Sequence, residues 1–183
     1  MPHIPVPDDP PGIRGLLAFK PAIGVKVSEL IHELLRGPSP LTPAEREHIA
    51  AHVSRLNDCE FCARSHAAAE RHLLVGVQPV RVADVPAQRE SQEPSLMGAL
   101  LAVAEAVVRG GRHVSEPLLE RVRAAGGGDE HIHDTVLIAS AFCMLNRYVD
   151  GLAAVTPGED AAYEAMGAVM AARGYARPAP VID

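Results

Sequence analysis

The sequence predicts an all-α protein, a bundle of helical hairpins with about six to eight helices. Two observations carry this. Apolar residues recur at helical spacing along most of the 183 residues, and no stretch alternates as a half-buried strand would. The core must also be built from Ala, Val and Leu, because aromatics are 3% of the chain and Trp is absent; Ala and Leu favour helix.

The elements follow in order. Residues 1–12 are Pro-rich and include Asp8 and Asp9; they read as an extended arm, either loose or laid on a neighbouring subunit. A short helix fits 13–19. Pro21 opens a helix to Arg36 on which Ile23, Val27, Leu30, Ile31, Leu34 and Leu35 recur at helical spacing, and Gly37-Pro38-Ser39-Pro40 ends it. Thr42, Pro43 and Glu45 form a Thr-x-x-Glu start signal for a helix to Leu56, with Ile49, Ala50, Val53 and Leu56 turned inward. Asn57-Asp58 breaks that helix and offers a cap to the next, which carries Cys59 and Cys62 and continues to Val75. Residues 76–94 read as irregular, punctuated by Pro79, Pro86 and Pro94. Helices are then predicted over 95–109, 115–125, 129–153 and 159–173; Gly110-Gly111 stops the first, and Gly126-Gly127-Gly128 separates the second from the third. The organisation is thus an arm at 1–12, one helical domain over 13–175 and a tail at 176–183.

Bulk properties exclude some functions. A formal net charge of −6 argues against a nucleic-acid binder, which needs a basic surface to replace counterions. No charge-free apolar run of about 18 residues is present, so no membrane span is expected. The first residues lack the basic and apolar regions of a secretory signal. Three cysteines, two of them in one Cys-x-x-Cys, point to cytoplasmic thiol chemistry rather than a secreted disulfide framework.

Cys59, Cys62 and His66 carry the chemistry. Steps of three and four residues keep them within about 60° of one helix face. The two sulfurs lie one turn apart, so a disulfide between them is geometrically reachable. In the first turn, Cys59 would meet unpaired N–H groups and the positive end of the helix dipole, both of which stabilise a thiolate. His66, a turn beyond Cys62, can exchange a proton with that sulfur. Glu47 on the preceding helix can approach if the two helices form a hairpin. Taken alone, it reads as an ordinary solvated helix charge.

The stretch from Leu41 to Leu74, LTPAEREHIAAHVSRLNDCEFCARSHAAAERHLL, resembles the alkyl hydroperoxidase D branch of the carboxymuconolactone decarboxylase superfamily. That branch carries a Glu, eleven residues, then Cys-x-x-Cys-x-x-x-His, matched here by Glu47, Cys59, Cys62 and His66. The segment around Phe142, Asn146-Arg147 and Asp150-Gly151 is similar to the C-terminal helix of its peroxidase-related members. The resemblance implies an AhpD-like helical fold and a homo-oligomer, as dimer, trimer or hexamer. It implies reduction of a hydroperoxide without metal or organic cofactor, with an external dithiol as reductant. Carried over, Cys62 attacks the peroxide and Cys59 resolves the sulfenic acid, while Glu47 and His66 move protons. The founding enzyme has a His immediately before its second cysteine; here that residue is Phe61, so one proton-transfer group is missing. The decarboxylases of the superfamily lack the Cys-x-x-Cys.

Two other functions use the same residues. Cys59, Cys62 and His66 with His52 or Glu47 could ligate a metal, although structural zinc sites usually gather two separated pairs. A non-catalytic redox sensor would need the thiols without turnover. Elsewhere, His48 and His52 have i, i+4 metal spacing but read as surface residues, as does His72. His131 and His133 read as first-turn polar residues. Cys143 reads as a buried, inert thiol, and Arg147 and Asp150 as an i, i+3 ion pair. Leu16, Leu17 and Phe19 read as core or interface residues, with a substrate entrance as the other use.

Overall fold

The computed structural model describes residues 1–6, 10–75 and 95–175. The predicted irregular stretch 76–94 and the tail 176–183 lie outside the described residues. Among the described residues there are eight α-helices and no strand: α1 (Ile13–Phe19), α2 (Pro21–Arg36), α3 (Pro43–Leu56), α4 (Glu60–Leu74), α5 (Leu96–Arg109), α6 (Glu116–Ala124), α7 (Asp129–Gly151) and α8 (Asp160–Arg173). A 3-10 turn, Gly111–His113, links α5 to α6. The all-α expectation holds, and each predicted helix is present. No helix among the described residues is long and apolar enough to cross a membrane.

Local chemistry sets the boundaries. The α3 start signal is a complete capping box: Thr42 Oγ1 accepts from the Glu45 N–H at 3.3 Å, and the Glu45 carboxylate accepts from the Thr42 N–H at 2.8 Å. Ser95 caps α5 by accepting from the Gly98 N–H. His131 Nδ1 accepts from the Gly128 N–H at 3.1 Å, a first-turn role for that histidine.

Helices α3 and α4 form an antiparallel hairpin, and α8 lies against the outer side of α4. Ala68 and Ala69 of α4 are fully buried there. Gly167 of α8 sits so close that an added Cβ would lie 2.6 Å from both the carbonyl carbon and the Cβ of Ala68. Gly167→Ala is therefore expected to push α8 off α4 and cost about 2 kcal/mol, within the range of core overpacking. A thermal melt of the variant measures this.

The main core joins Ile31 and Leu35 of α2, Ile49 and Val53 of α3, Leu100 and Val103 of α5, and Ile138 and Phe142 of α7. A smaller cluster holds Cys59, Phe61, Cys62, Val149 and Tyr163. The inward assignment holds for Ile49, Ala50 and Val53 but not for Leu56, which is 43% exposed because the chain turns away directly after it. The N-terminal arm is held at two points by the loop after α7 of the same chain. His3 N–H donates to Leu152 O at 3.0 Å, and Gly12 N–H donates to Val155 O at 2.8 Å.

Candidate thiol site

The α3–α4 turn is a Schellman closure. Asp58 takes the left-handed conformation at φ 57°, its N–H donates to Arg55 O, and the Cys59 N–H donates to Ser54 O at 3.0 Å. The same Cys59 is the N-cap residue of α4. The Asn57-Asp58 pair thus terminates α3 without capping α4. Cys59 stands one position ahead of the first turn in which the spacing places it. The reason is that the six-residue closure needs a backbone N–H at position 59, which holds that residue extended.

Both thiols of the pair are free and buried, Cys59 at 0% and Cys62 at 3% exposure. They differ in what they face. Cys62 lines a cavity of about 320 Å³ together with His66, and Cys59 does not. The cavity walls are mainly apolar and come from Leu17 of α1, Ile31 of α2, Phe142 and Leu145 of α7, and Met166 and Met170 of α8. Of the three entrance candidates, Leu17 lines this cavity, Leu16 is fully buried and Phe19 is half exposed. Phe61, where the founding enzyme has His, packs on Tyr163 with ring centroids 6.1 Å apart. Its ring also occupies the place where a Cβ on Gly12 would lie, 2.0 Å from Cζ. Phe61 therefore anchors the arm to the start of α4.

The Cys62 thiol is pushed well above its ordinary range. Its hydrogen bond with Cys59 is the main cause, followed by burial and the Cys59 charge; a hydrogen bond from Asn146 pulls the other way, and Asp150 adds to the rise. Asn146 belongs to a buried amide chain: its Nδ2 donates to Ser54 Oγ at 3.1 Å, and its Oδ1 accepts from Asn57 Nδ2 at 2.9 Å. That chain ties α7 to the turn that positions the thiols.

Glu47 is fully buried, which corrects its reading as a solvated helix charge. Every oxygen has a partner. Oε1 accepts from Arg36 at 2.6 Å and from the Tyr175 hydroxyl at 2.5 Å, and Oε2 lies 2.6 Å from His66 Nδ1. Burial works to raise the Glu47 carboxyl. His66, then Arg36, then the Tyr175 hydrogen bond outweigh it and hold the carboxyl below its ordinary value. An ionised Glu47 can only accept, so His66 Nδ1 carries the proton and Nε2 is the ring nitrogen left for exchange. The imidazole is further fixed by Phe142, edge-on at 4.6 Å between centroids, and by Tyr175, stacked at 5.9 Å.

The structure thus sets Glu47 on His66, His66 and Cys62 on the wall of one cavity, and Cys59 beside Cys62 at the start of α4. Sequence reasoning misses Arg36, which reads as an ordinary basic residue in the last turn of α2, and Tyr175, which follows the last helix. The available hint is that Tyr175 is one of only three tyrosines and stands directly after a helix-stopping glycine.

The remaining candidates separate from the site. His48 turns Nδ1 to Glu70 at 2.9 Å and His52 turns Nε2 to Glu105 at 3.2 Å, so the pair diverges onto different helices. Among the described residues, no three His, Cys, Asp or Glu side chains are arranged to hold a metal ion. Cys143 is half-buried rather than buried, with Asn57 Nδ2 3.6 Å from its sulfur. Arg147 donates to the Cys143 carbonyl at 2.8 Å and to Asn57 Oδ1 at 3.4 Å, so it braces the α3–α4 turn instead of pairing with Asp150.

Comparison with known proteins bears on the family and the fold. The sequence model of the carboxymuconolactone decarboxylase family matches residues 21–106. Comparison with curated protein sequences returns no match. Among solved structures, an uncharacterized peroxidase-related protein from Silicibacter sp. TM1040 is similar with a TM-score of 0.67 and 25% identity, over 89% of this chain and 94% of that one. An uncharacterized peroxidase-related protein from Ralstonia eutropha JMP134, described as an alkylhydroperoxidase AhpD core, is similar with a TM-score of 0.64 and 27% identity, over 87% of this chain and 82% of that one. The family match over residues 21–106 and both structural likenesses support an AhpD-like, all-α architecture of the carboxymuconolactone decarboxylase type for this chain.

Proposed function

We propose that the protein is a thiol-dependent peroxidase that reduces organic hydroperoxides through the Cys59–Cys62 dithiol. The observation that carries this is the presence of Cys62 and His66 on the wall of one apolar cavity, with His66 Nδ1 held by a buried carboxylate. An apolar wall suits an alkyl or aryl hydroperoxide better than hydrogen peroxide, since burying the organic group is favourable.

The chemistry follows from the raised Cys62 thiol. A protonated thiol reacts slowly, so attack requires a base. His66 takes the Cys62 proton through Nε2 while Glu47 stabilises the imidazolium through Nδ1. The Cys62 sulfur attacks the outer peroxide oxygen, the O–O bond breaks, and the leaving alkoxide takes the proton back as an alcohol. Cys62 becomes a sulfenic acid, and Cys59 condenses with it to give the disulfide and water. An external dithiol restores the pair by exchange, and is itself oxidised to a disulfide. In this scheme Glu47 is the fixed negative charge that orients His66, and it does not shuttle protons. The reading includes a cytoplasmic setting, where thiols are kept reduced, and a homo-oligomer of small-residue helical faces.

The test is mass spectrometry of the reduced protein after stoichiometric cumene hydroperoxide or hydrogen peroxide, with rapid thiol trapping. Fast Cys59–Cys62 disulfide formation, faster with the organic peroxide, is expected. Slow oxidation that also reaches Cys143 would instead favour a redox sensor, a reading the raised Cys62 thiol supports.

A further inference from the structure

Tyr175 has no place in the thiol chemistry above, yet the chain is built to deliver it. Helix α8 ends at Arg173, and Gly174 turns the chain at φ 66°. A Cβ on Gly174 would lie 2.5 Å from His32 Nδ1. The same nitrogen accepts from the Tyr175 N–H at 3.1 Å. The turn sends the Tyr175 ring inward, where it lines the cavity beside Cys62 and His66.

Its contacts converge on the proton-handling pair. The hydroxyl donates to Glu47 Oε1, its oxygen lies 3.3 Å from His66 Nδ1, and the ring stacks on the imidazole at an interplanar angle of 19°. Arg36, the other partner of Oε1, lies with its guanidinium carbon 5.2 Å from the centre of the Tyr175 ring. We propose that Tyr175 is a positioning residue of the thiol site: with Arg36 it clamps Glu47 Oε1, keeps Oε2 on His66 Nδ1, and so fixes the imidazole for proton exchange with Cys62. The proposal rests on the peroxidase reading for its consequence in turnover, and on geometry alone for the clamp itself.

Tyr175 acts by position rather than by giving up its proton. Burial first, and then the Glu47 charge, raise the phenol well above its ordinary value, so it remains a neutral donor through the cycle. Glu47 on α3 faces Arg36 from α2, His66 from α4 and Tyr175 from beyond α8, while α7 presents the apolar Phe142 to the same imidazole. Arg46, next to Glu47 on α3, adds a further positive charge within electrostatic reach. Removing the phenol donor leaves the carboxylate less stabilised. It then protonates at higher pH and releases His66 Nδ1.

Tyr175→Phe keeps the ring and its stacking and removes only the hydroxyl. Two readouts are compared with the wild type: the pH dependence of cumene hydroperoxide-driven disulfide formation, and the ¹⁵N shifts of the His66 ring in the reduced protein. The expected result is a rate roughly tenfold lower near neutral pH, the loss expected for one hydrogen bond to a charged group. The acid limb of the profile moves to higher pH, and the His66 signals move toward a mixture of tautomers. An unchanged rate, profile and set of ring shifts would overturn the clamp while leaving the peroxidase reading intact. If the wild type forms no disulfide, the peroxidase reading fails, and the ring shifts still decide the clamp: changed shifts uphold it and unchanged shifts overturn it.

Discussion

Cys62→Ser is expected to abolish hydroperoxide-driven oxidation at the pair, whereas Cys59→Ser is expected to consume one equivalent of peroxide and stop at a sulfenic acid on Cys62. The difference follows from placement. Cys62 lines the cavity with His66, and Cys59 lies behind it as the N-cap of α4 with no exposed surface. The helix dipole alone would select Cys59 as the stabilised thiolate. Access and a base within the same cavity select Cys62, and attack needs both of these. Trapping with a sulfenic-acid-specific diketone, followed by peptide mass spectrometry, reads the outcome directly. A sulfenic acid trapped on Cys59 in the Cys62→Ser protein would reverse the two roles. Cys143→Ser should leave both results unchanged, because that sulfur sits against Asn57 outside the cavity.

Glu47→Leu is expected to cost about 3 kcal/mol of stability, the low end for breaking a buried ion pair, because the abandoned Arg36 keeps 12% of its side chain in water. For a chain of this size, that lowers the melting temperature by about 6–12 °C. The pH dependence has a definite sign. The folded Glu47 carboxyl lies below its ordinary value, so the folded state binds its proton less readily than the unfolded chain does. The stabilisation is complete above the unfolded value of about 4.3 and disappears as the pH falls through the lower folded value. Melting curves of wild type and variant should therefore differ most near neutral pH and converge in acid. A constant gap down to about pH 2 would mean that the effect is packing and not charge.

The helices were legible because punctuation in this chain is local: a Thr-x-x-Glu box, Pro21, Pro43 and runs of glycine each act within one turn. Cys62 and His66 were legible for the same reason, since they share one face of α4 by spacing alone, whereas Cys59 stands outside that face as the N-cap. Glu47 was legible as a family position and illegible as a buried charge. Its burial depends on Arg36 and Tyr175, which reach it from two other parts of the fold, and no periodicity announces such a meeting. Asn146 was similarly hidden. Its amide looks like one more polar residue on α7 until α3 and the Asn57 turn pack around it. The Arg147–Asp150 pairing failed because a helix-spacing rule ranks partners on the same helix, while the α3–α4 turn offered Arg147 an acceptor from outside it.

The distance along the chain between Glu47 and Tyr175, 128 residues, also has a meaning in time. At about 5–20 residues per second, a ribosome needs about 6–25 s to travel from one to the other. Once Leu74 has been made, the α3–α4 hairpin can form with its carboxylate short of the Tyr175 donor and its cavity without the α8 wall. Cys62 then lacks the wall that Met166 and Met170 of α8 supply. The cavity is complete only when the last helix docks, so on the peroxidase reading the newborn chain is expected to pass through a period in which its cysteines behave as ordinary cysteines.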